Sequence, residues 1–268
     1  MAGALESPGG AEGPEERYRP RVIGEVDRPS APMLVHKDAI YFHGGRQYHV
    51  DRLDYDERKA YVHAVDVDYY TDAELAVDLG VLQQDQTQES AAALWAQGEV
   101  KVAFQPTVFK KIKLETHENV GWEKIDLPQE DLHTSAVWLA LQPPALAGLS
   151  TEDVQGGLWG LGNLLVNVAP VFVLCDPRDV HVATQLKAPF TERPTVYLYD
   201  AAPGGVGLAE KLYELREALV RAARDHARSC GCEAGCPSCV GPHNEVAGNP
   251  KHAALAMLDR LMAGGPPA

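Results

Sequence analysis

The chain has 268 residues, with 24 Lys+Arg against 38 Asp+Glu for a formal net charge of −14, and 45% of its residues are hydrophobic. That length and apolar share suit a full hydrophobic core, in one large domain or two small ones, and exclude wholesale disorder or a fibrous repeat. The acidic balance excludes nucleic-acid affinity spread over the whole surface, since such affinity comes from Lys and Arg on phosphates; DNA would be met through a local patch or on a partner. No apolar run stands out near the ~20 residues that cross a bilayer, and no apolar signal core opens the sequence, so a soluble, cytoplasmic protein with no membrane partner is expected.

Residues 1–17, rich in Gly, Pro and Glu, read as a disordered lead-in. Residues 18–130 read as a β-rich accessory lobe. Met33–His36 and Ala39–Phe42 are short apolar or aromatic runs, Gly44-Gly45 supplies a turn, and Gln47–Val50 follows. Tyr61–Val65 and Val100–Phe104 alternate, and Phe109–Leu114 carries a lysine cluster. Short strands at such spacing predict a small antiparallel sheet or barrel.

Residues 131–263 read as an α/β lobe, and 264–268 as a frayed tail. Val137–Leu141 is a predicted strand. Ser150, three residues before Asp153, makes a capping-box start for a helix in which Leu158, Leu161, Leu164 and Leu165 recur at helical spacing. Val171–Cys175 and Thr195–Tyr199 are continuous apolar runs of the kind buried parallel strands show. Helices are predicted at about 208–228 and 251–262, on either side of a cysteine cluster. The expected fold class is α+β to α/β: a β-rich N-terminal lobe, then an α/β lobe ending in a four-cysteine, zinc-binding helical segment.

Four of the five cysteines, Cys230, Cys232, Cys236 and Cys239, lie within ten residues as C-x-C-x3-C-x2-C, with Cys175 far upstream. Residues i and i+2 are poorly placed for a disulfide, and an odd total without a secretory signal argues for a reduced setting. Zinc takes four thiolates tetrahedrally, and Gly231, Gly235 and Pro237 give the chain the turns to wrap one ion. Four sulfurs leave no open position for substrate, so the site reads as a clamp between two helices. An iron–sulfur cluster remains open as a lesser alternative, and His226 or His243 as a substitute ligand.

Tyr199-Asp200 leads into Pro203-Gly204-Gly205-Val206-Gly207, between a strand and a helix, where backbone N–H groups are able to cradle an anion. No Gly-Lys-Ser/Thr follows, so this is not an ATPase phosphate loop; a tight turn with Asp200 bonded to backbone is the plainer reading. Asp176 and Asp179, together with Asp200, are candidates for a cleft that binds metal or runs acid–base chemistry, against a reading as turn residues around Pro177. Lys101, Lys110, Lys111 and Lys113 with Phe104 and Phe109, and Arg221 and Arg224 with Arg216 and Arg228, are candidate DNA contacts against a reading as solvated faces.

The run Asp200 to Glu210, the Cys-x-Cys-x3-Cys-Pro-Ser-Cys-Val240-Gly241 segment, Asn244-Glu245 and Lys251 resemble the C-terminal zinc-binding region of DEAD/DEAH-box DNA helicases of the mitomycin-repair type. Ile40–Val50, Asp66–Thr71 and Cys175-Asp176 with Asp179 extend the resemblance to roughly residues 18–262. In that family, tandem RecA-like motor domains precede this region and translocate on single-stranded DNA by ATP hydrolysis. This chain has neither a Walker A lysine motif nor an Asp-Glu-x-His box, so the zinc ligands carry over and the ATPase does not. The resemblance implies a standalone version or a fragment of a longer helicase, working in DNA repair or phage defence. The sequence is thus read as a non-catalytic, Zn2+-binding accessory module that supports a fused or separate helicase motor and contacts single-stranded DNA weakly. The alternatives are a metal-dependent nuclease or phosphodiester hydrolase at Asp176, Asp179 and Asp200, and a protein-interaction module.

Overall fold

The computed structural model describes residues 2–6 (backbone only), 21–28, 30–241 and 248–263. The chain forms two units, residues 1–77 with 104–130 and residues 78–103 with 131–268. It passes between them after Val77, Ala103 and Glu130, where the sequence suggested a single junction at 130/131.

The first unit holds β1 (Ala2–Glu6), β2 (Arg21–Val26), α1 (Ala31–Leu34), β3 (Ile40–His43), β4 (Arg46–Asp54) and β5 (Lys59–Val65), with sheet order β2-β1-β5-β4-β3. Gly44 and Gly45 join β3 to β4 at φ +56° and +75°, the paired positive values that a two-residue hairpin turn requires. Val26, Ala31, Val35, Ala39, Tyr48, Val50, Ala60 and Val62 form its core.

Two expectations change here. Residues 2–6 form a strand, antiparallel to β2 and parallel to β5, in place of a disordered start; residues 7–17 lie outside the described residues. Met33–His36 begins inside a short helix, not a strand. Pro32 sits in its first turn and the Asp27 carboxylate accepts the Ser30 N–H, both helix-start devices.

Strands β6 (Tyr69–Glu89) and β7 (Ala93–Lys113) each run through both units, and β8 (Asn119–Lys124) pairs with β7 in the first. The second unit adds β9 (Glu130–Leu141), β10 (Val180–Gln185) and β11 (Thr195–Asp200), in sheet order β10-β11-β9-β7-β6. Thr195–Tyr199 is a strand as expected, but antiparallel to both neighbours. Its continuous apolar character reflects burial on both faces. Val196 and Leu198 enter one cluster with Val137 and Leu139, while Tyr197 and Tyr199 enter another with Ala136 and Trp138.

Helices α2 (Pro143–Leu146), α3 (Thr151–Val173), α4 (Leu208–Glu214), α5 (Arg216–Ser229) and α6 (Pro250–Ala263) belong to the second unit. The capping box is present: the Asp153 N–H donates to Ser150 Oγ (3.1 Å) and the Ser150 N–H to the Asp153 carboxylate (3.3 Å). Leu158, Leu161, Leu164 and Leu165 are all buried. Val171–Cys175 is not a strand. It is the last turn of α3 and its exit through Leu174 at φ +52°, with Leu174 90% exposed. A short apolar run does not by itself distinguish strand from helix.

Contrary to the expectation that no apolar run comes near that length, one 18-residue window within helix α3 has a mean hydropathy of 1.4, enough by length and composition alone to cross a bilayer. Half of that window is buried within the fold. Glycines carry the packing. A Cβ at Gly157 would sit 2.8 Å from the Cβ of Ala253 in α6, one at Gly160 would meet Val240, and one at Gly162 would meet Thr184 and Val182 of β10.

Gly157→Ala tests this close approach. Alanine gains up to about 1 kcal/mol in helix propensity, while overpacking against the α6 backbone costs about 1–3 kcal/mol. A net loss of stability in urea unfolding, with helix content retained, is the expected outcome.

Candidate metal centre

Helix α5 ends at Ser229 and delivers Cys230, whose N–H still bonds the His226 carbonyl (3.1 Å). Gly235, at φ +142°, then lets the chain pass against Val240. The N–H groups of Cys239 and Gly241 both donate to the Cys236 carbonyl at 3.0 Å, folding the last two cysteines over. Gly241 leaves room for the Trp159 ring of α3, which a Cβ there would strike. Asn163 and Asn167 on α3 donate to the carbonyls of Val240 and Cys239.

The result is a cluster of four thiols. Sulfur separations are 3.6 Å for Cys230–Cys232, 3.5 Å for Cys230–Cys236, 3.4 Å for Cys232–Cys239 and 3.6 Å for Cys236–Cys239. All four sulfurs lie within 4.8 Å of one another, and none is in a disulfide. A tetrahedral ion with bonds of about 2.3 Å separates its sulfurs by roughly 3.8 Å, so the cluster is nearly of the size zinc needs. The Cys230 thiol is drawn down to about 6, chiefly by the Cys232 N–H, whereas burial pushes Cys239 up to about 12. A coordinated cation overrides such burial, because a metal-bound thiol is deprotonated outright.

Around the sulfurs, Lys251 in the first turn of α6 is buried. Its Nζ donates to the carbonyls of Cys230 (2.8 Å) and Cys232 and lies 3.4 Å from Cys232 Sγ. Four thiolates leave a divalent ion with excess negative charge, and this cation stands where it offsets part of it. Sequence reasoning noted Lys251 within a motif but gave it no role; a lysine opening an Ala- and Leu-rich helix was the available signal. His226 is no ligand: its Nε2–H donates to the Ser238 carbonyl. His243 lies outside the described residues. Cys175 stands apart from the four sulfurs, its thiol raised by burial.

The other candidates resolve differently. Asp200 is buried, and its carboxylate accepts the N–H groups of Val206 (2.7 Å), Leu208 (3.2 Å) and Ala209 (2.9 Å). Gly204, Gly205 and Gly207 all have positive φ, and a Cβ on Gly205 would collide with Ser135. The N-terminus of α4 is therefore filled by the loop's own carboxylate. Asp176 and Asp179 cap a single 3-10 turn reciprocally, and Arg178 holds the Asp176 carboxyl down at about 2. Among the described residues, only two clusters bring three or more His, Cys, Asp or Glu ligand atoms within 4.8 Å of one another, and Asp176, Asp179 and Asp200 form neither. Asp176 and Asp179 thus form one reciprocal cap and Asp200 a second, each carboxylate engaged by backbone N–H groups.

Each candidate lysine meets a carboxylate: Lys101 with Asp131, Lys110 with Glu74, Lys111 with Glu123 and Lys113 with Asp68. Arg224 pairs with Asp225, while Arg221 is exposed on α5.

Residues 161–240 match the family model described as MrfA Zn-binding domain, a stretch that contains all four cysteines. The chain belongs to the MrfA Zn-binding domain family. It is 46% identical over 242 residues to the uncharacterized ATP-dependent helicase YprA of Bacillus subtilis, covering 90% of this chain and 32% of that protein. It is similar to a crystal structure of DUF1998 helicase MrfA bound to DNA, with 43% identity and a TM-score of 0.72 over 97% of this chain and 34% of that one. An uncharacterized protein of Methanocaldococcus jannaschii, MJ1572.1, is 30% identical over 107 residues, or 37% of this chain and 94% of that protein. The chain thus spans about one third of the helicase relatives, and its MrfA-type cysteine cluster is a zinc site.

Two substitutions separate zinc from turn chemistry. Cys239→Ser should lower zinc content below one per chain and cost several kcal/mol, because metal binding is coupled to folding; metal analysis and thermal unfolding read both. Asp200→Ala removes the acceptor of three N–H groups, that of Ala209 buried and the other two partly so, and should cost about 2–4 kcal/mol, with zinc content unchanged.

Proposed function

We propose that this chain is a non-motor accessory part of a DNA helicase, in repair or defence, that braces the motor and contacts single-stranded DNA weakly. The observation that carries the reading is the closed sulfur site: with four protein ligands on one ion, the centre acts as scaffold and not as catalyst. The likeness to a helicase structure bound to DNA over nearly the whole chain supports the assignment to DNA work. The motor is a partner, fused or separate. A reduced compartment such as the cytoplasm suits the free thiols.

The DNA contact is placed first on Arg221, which is exposed on α5, and then on Arg224, Lys101, Lys110, Lys111 and Lys113. Phosphate must displace a carboxylate from each of those five. Binding of a labelled oligo-dT, followed by fluorescence anisotropy across a salt series, is expected to weaken steeply with salt. Arg221→Ala should flatten the log–log slope by about 0.7, one phosphate contact on a single strand. No binding at the lowest salt would replace this reading with that of a protein-interaction module.

A further inference from the structure

Wholly within the first unit, His49 and His63 are direct register partners across β4 and β5, with ring centroids 5.2 Å apart. Asp51 is the extra residue of a bulge, because the register steps from Val50 to Arg52 against consecutive residues of β5. A bulge re-aims a side chain, and here it turns a carboxylate toward both rings. Asp51 Oδ1 lies 2.9 Å from His63 Nδ1 and 3.3 Å from His49 Nδ1, and the ligand atoms of all three residues lie within 4.8 Å of one another. Beneath them Val50 and Val62 are fully buried, so the core holds the strand register that brings the three together.

A fourth group completes the pattern. Asp38 Oδ1 stands 3.5 Å from His49 Nε2, on the ring nitrogen facing away from Asp51. Metal-bound histidines use one nitrogen for the ion and hand the other N–H to a carboxylate or carbonyl, which fixes tautomer and ring orientation. Two imidazoles and one carboxylate suit a borderline first-row divalent cation and leave positions open to water. All three side chains are partly exposed, so an ion here exchanges with solvent.

We propose that His49, Asp51 and His63 form a second metal site for a divalent transition cation, with Asp38 as the outer carboxylate that orients His49. The site is chemically distinct from the four-thiolate centre, and it stands whether or not the helicase reading does.

The test titrates Ni2+ into the full, zinc-loaded chain by calorimetry, with zinc release counted in the dialysate and histidine ring nitrogens followed by NMR. One equivalent of Ni2+ bound, zinc retained, and the His49 and His63 Nδ1 resonances perturbed is the expected result. His63→Gln and Asp51→Asn should each weaken Ni2+ binding at least tenfold while zinc content and thermal unfolding hold. Both variants lie on the solvent-facing side of the pair, so a loss of binding is not a loss of fold. Ni2+ uptake matched by zinc release, no uptake at all, or uptake undiminished in both variants would each overturn the proposal.

Discussion

The gathering of four sulfurs around one ion holds the end of the second unit together. Between Ser229 and Pro250 the described chain has no helix or strand, so nothing in the backbone ladder joins α5 to α6 there. The thiolates supply that join, and the Cys239 and Val240 carbonyls then seat the loop on α3 through Asn167 and Asn163. Arg228, which donates twice to the Asp259 carboxylate, adds a second tie between α5 and α6. An exposed ion pair of this kind contributes at most about 1 kcal/mol, whereas a structural zinc contributes on the order of 10 kcal/mol. The metal is therefore the stronger of these two ties, added to the apolar packing of α5 and α6 in one core.

The ion and the glycine-lined helix depend on each other. Helix α6 approaches α3 closely only because Gly157 has no side chain at the crossing, and that approach carries Lys251 to the Cys230 and Cys232 carbonyls. Gly160 meets Val240, the residue that follows the last ligand. Sequence, packing and coordination thus converge on one short stretch of α3. The buried Asp200 plays a comparable part at the start of α4, where a fixed carboxylate satisfies three N–H groups that an external anion would otherwise bind.

Features written in local chemistry were legible in the sequence. The cysteine spacing, the Ser150–Asp153 capping box, the Gly44-Gly45 hairpin and the leucine stripe of α3 each need only a few neighbouring residues. What depends on distant partners was not legible. Thr195–Tyr199 read as a parallel strand because two-sided burial erases alternation whatever the strand direction. Val171–Cys175 read as a strand because five apolar residues at a helix end resemble one. The His49, Asp51 and His63 cluster escaped because it is made by strand register and a bulge. The apparent Asp176, Asp179 and Asp200 cleft arose from treating three turn carboxylates as if they faced one another. The 21-residue strand β7 was read as two pieces, Val100–Phe104 and Phe109–Leu114, and β6, with its Gln-rich end, was not read as a strand at all.

Neither unit is a continuous stretch of chain, and this governs the order in which the molecule is able to assemble. Residues 78–103 supply Leu79, Ala92, Ala93, Ala96, Val100 and Val102 to clusters whose other buried members all follow residue 130. During synthesis that hairpin emerges before anything it packs against exists, and it must wait with apolar side chains uncovered. The first unit closes earlier, once residues 104–130 return to it. Loop closure sets a cost on such long-range pairing, and the second unit is able to complete its core only after the last segment of the first has been made.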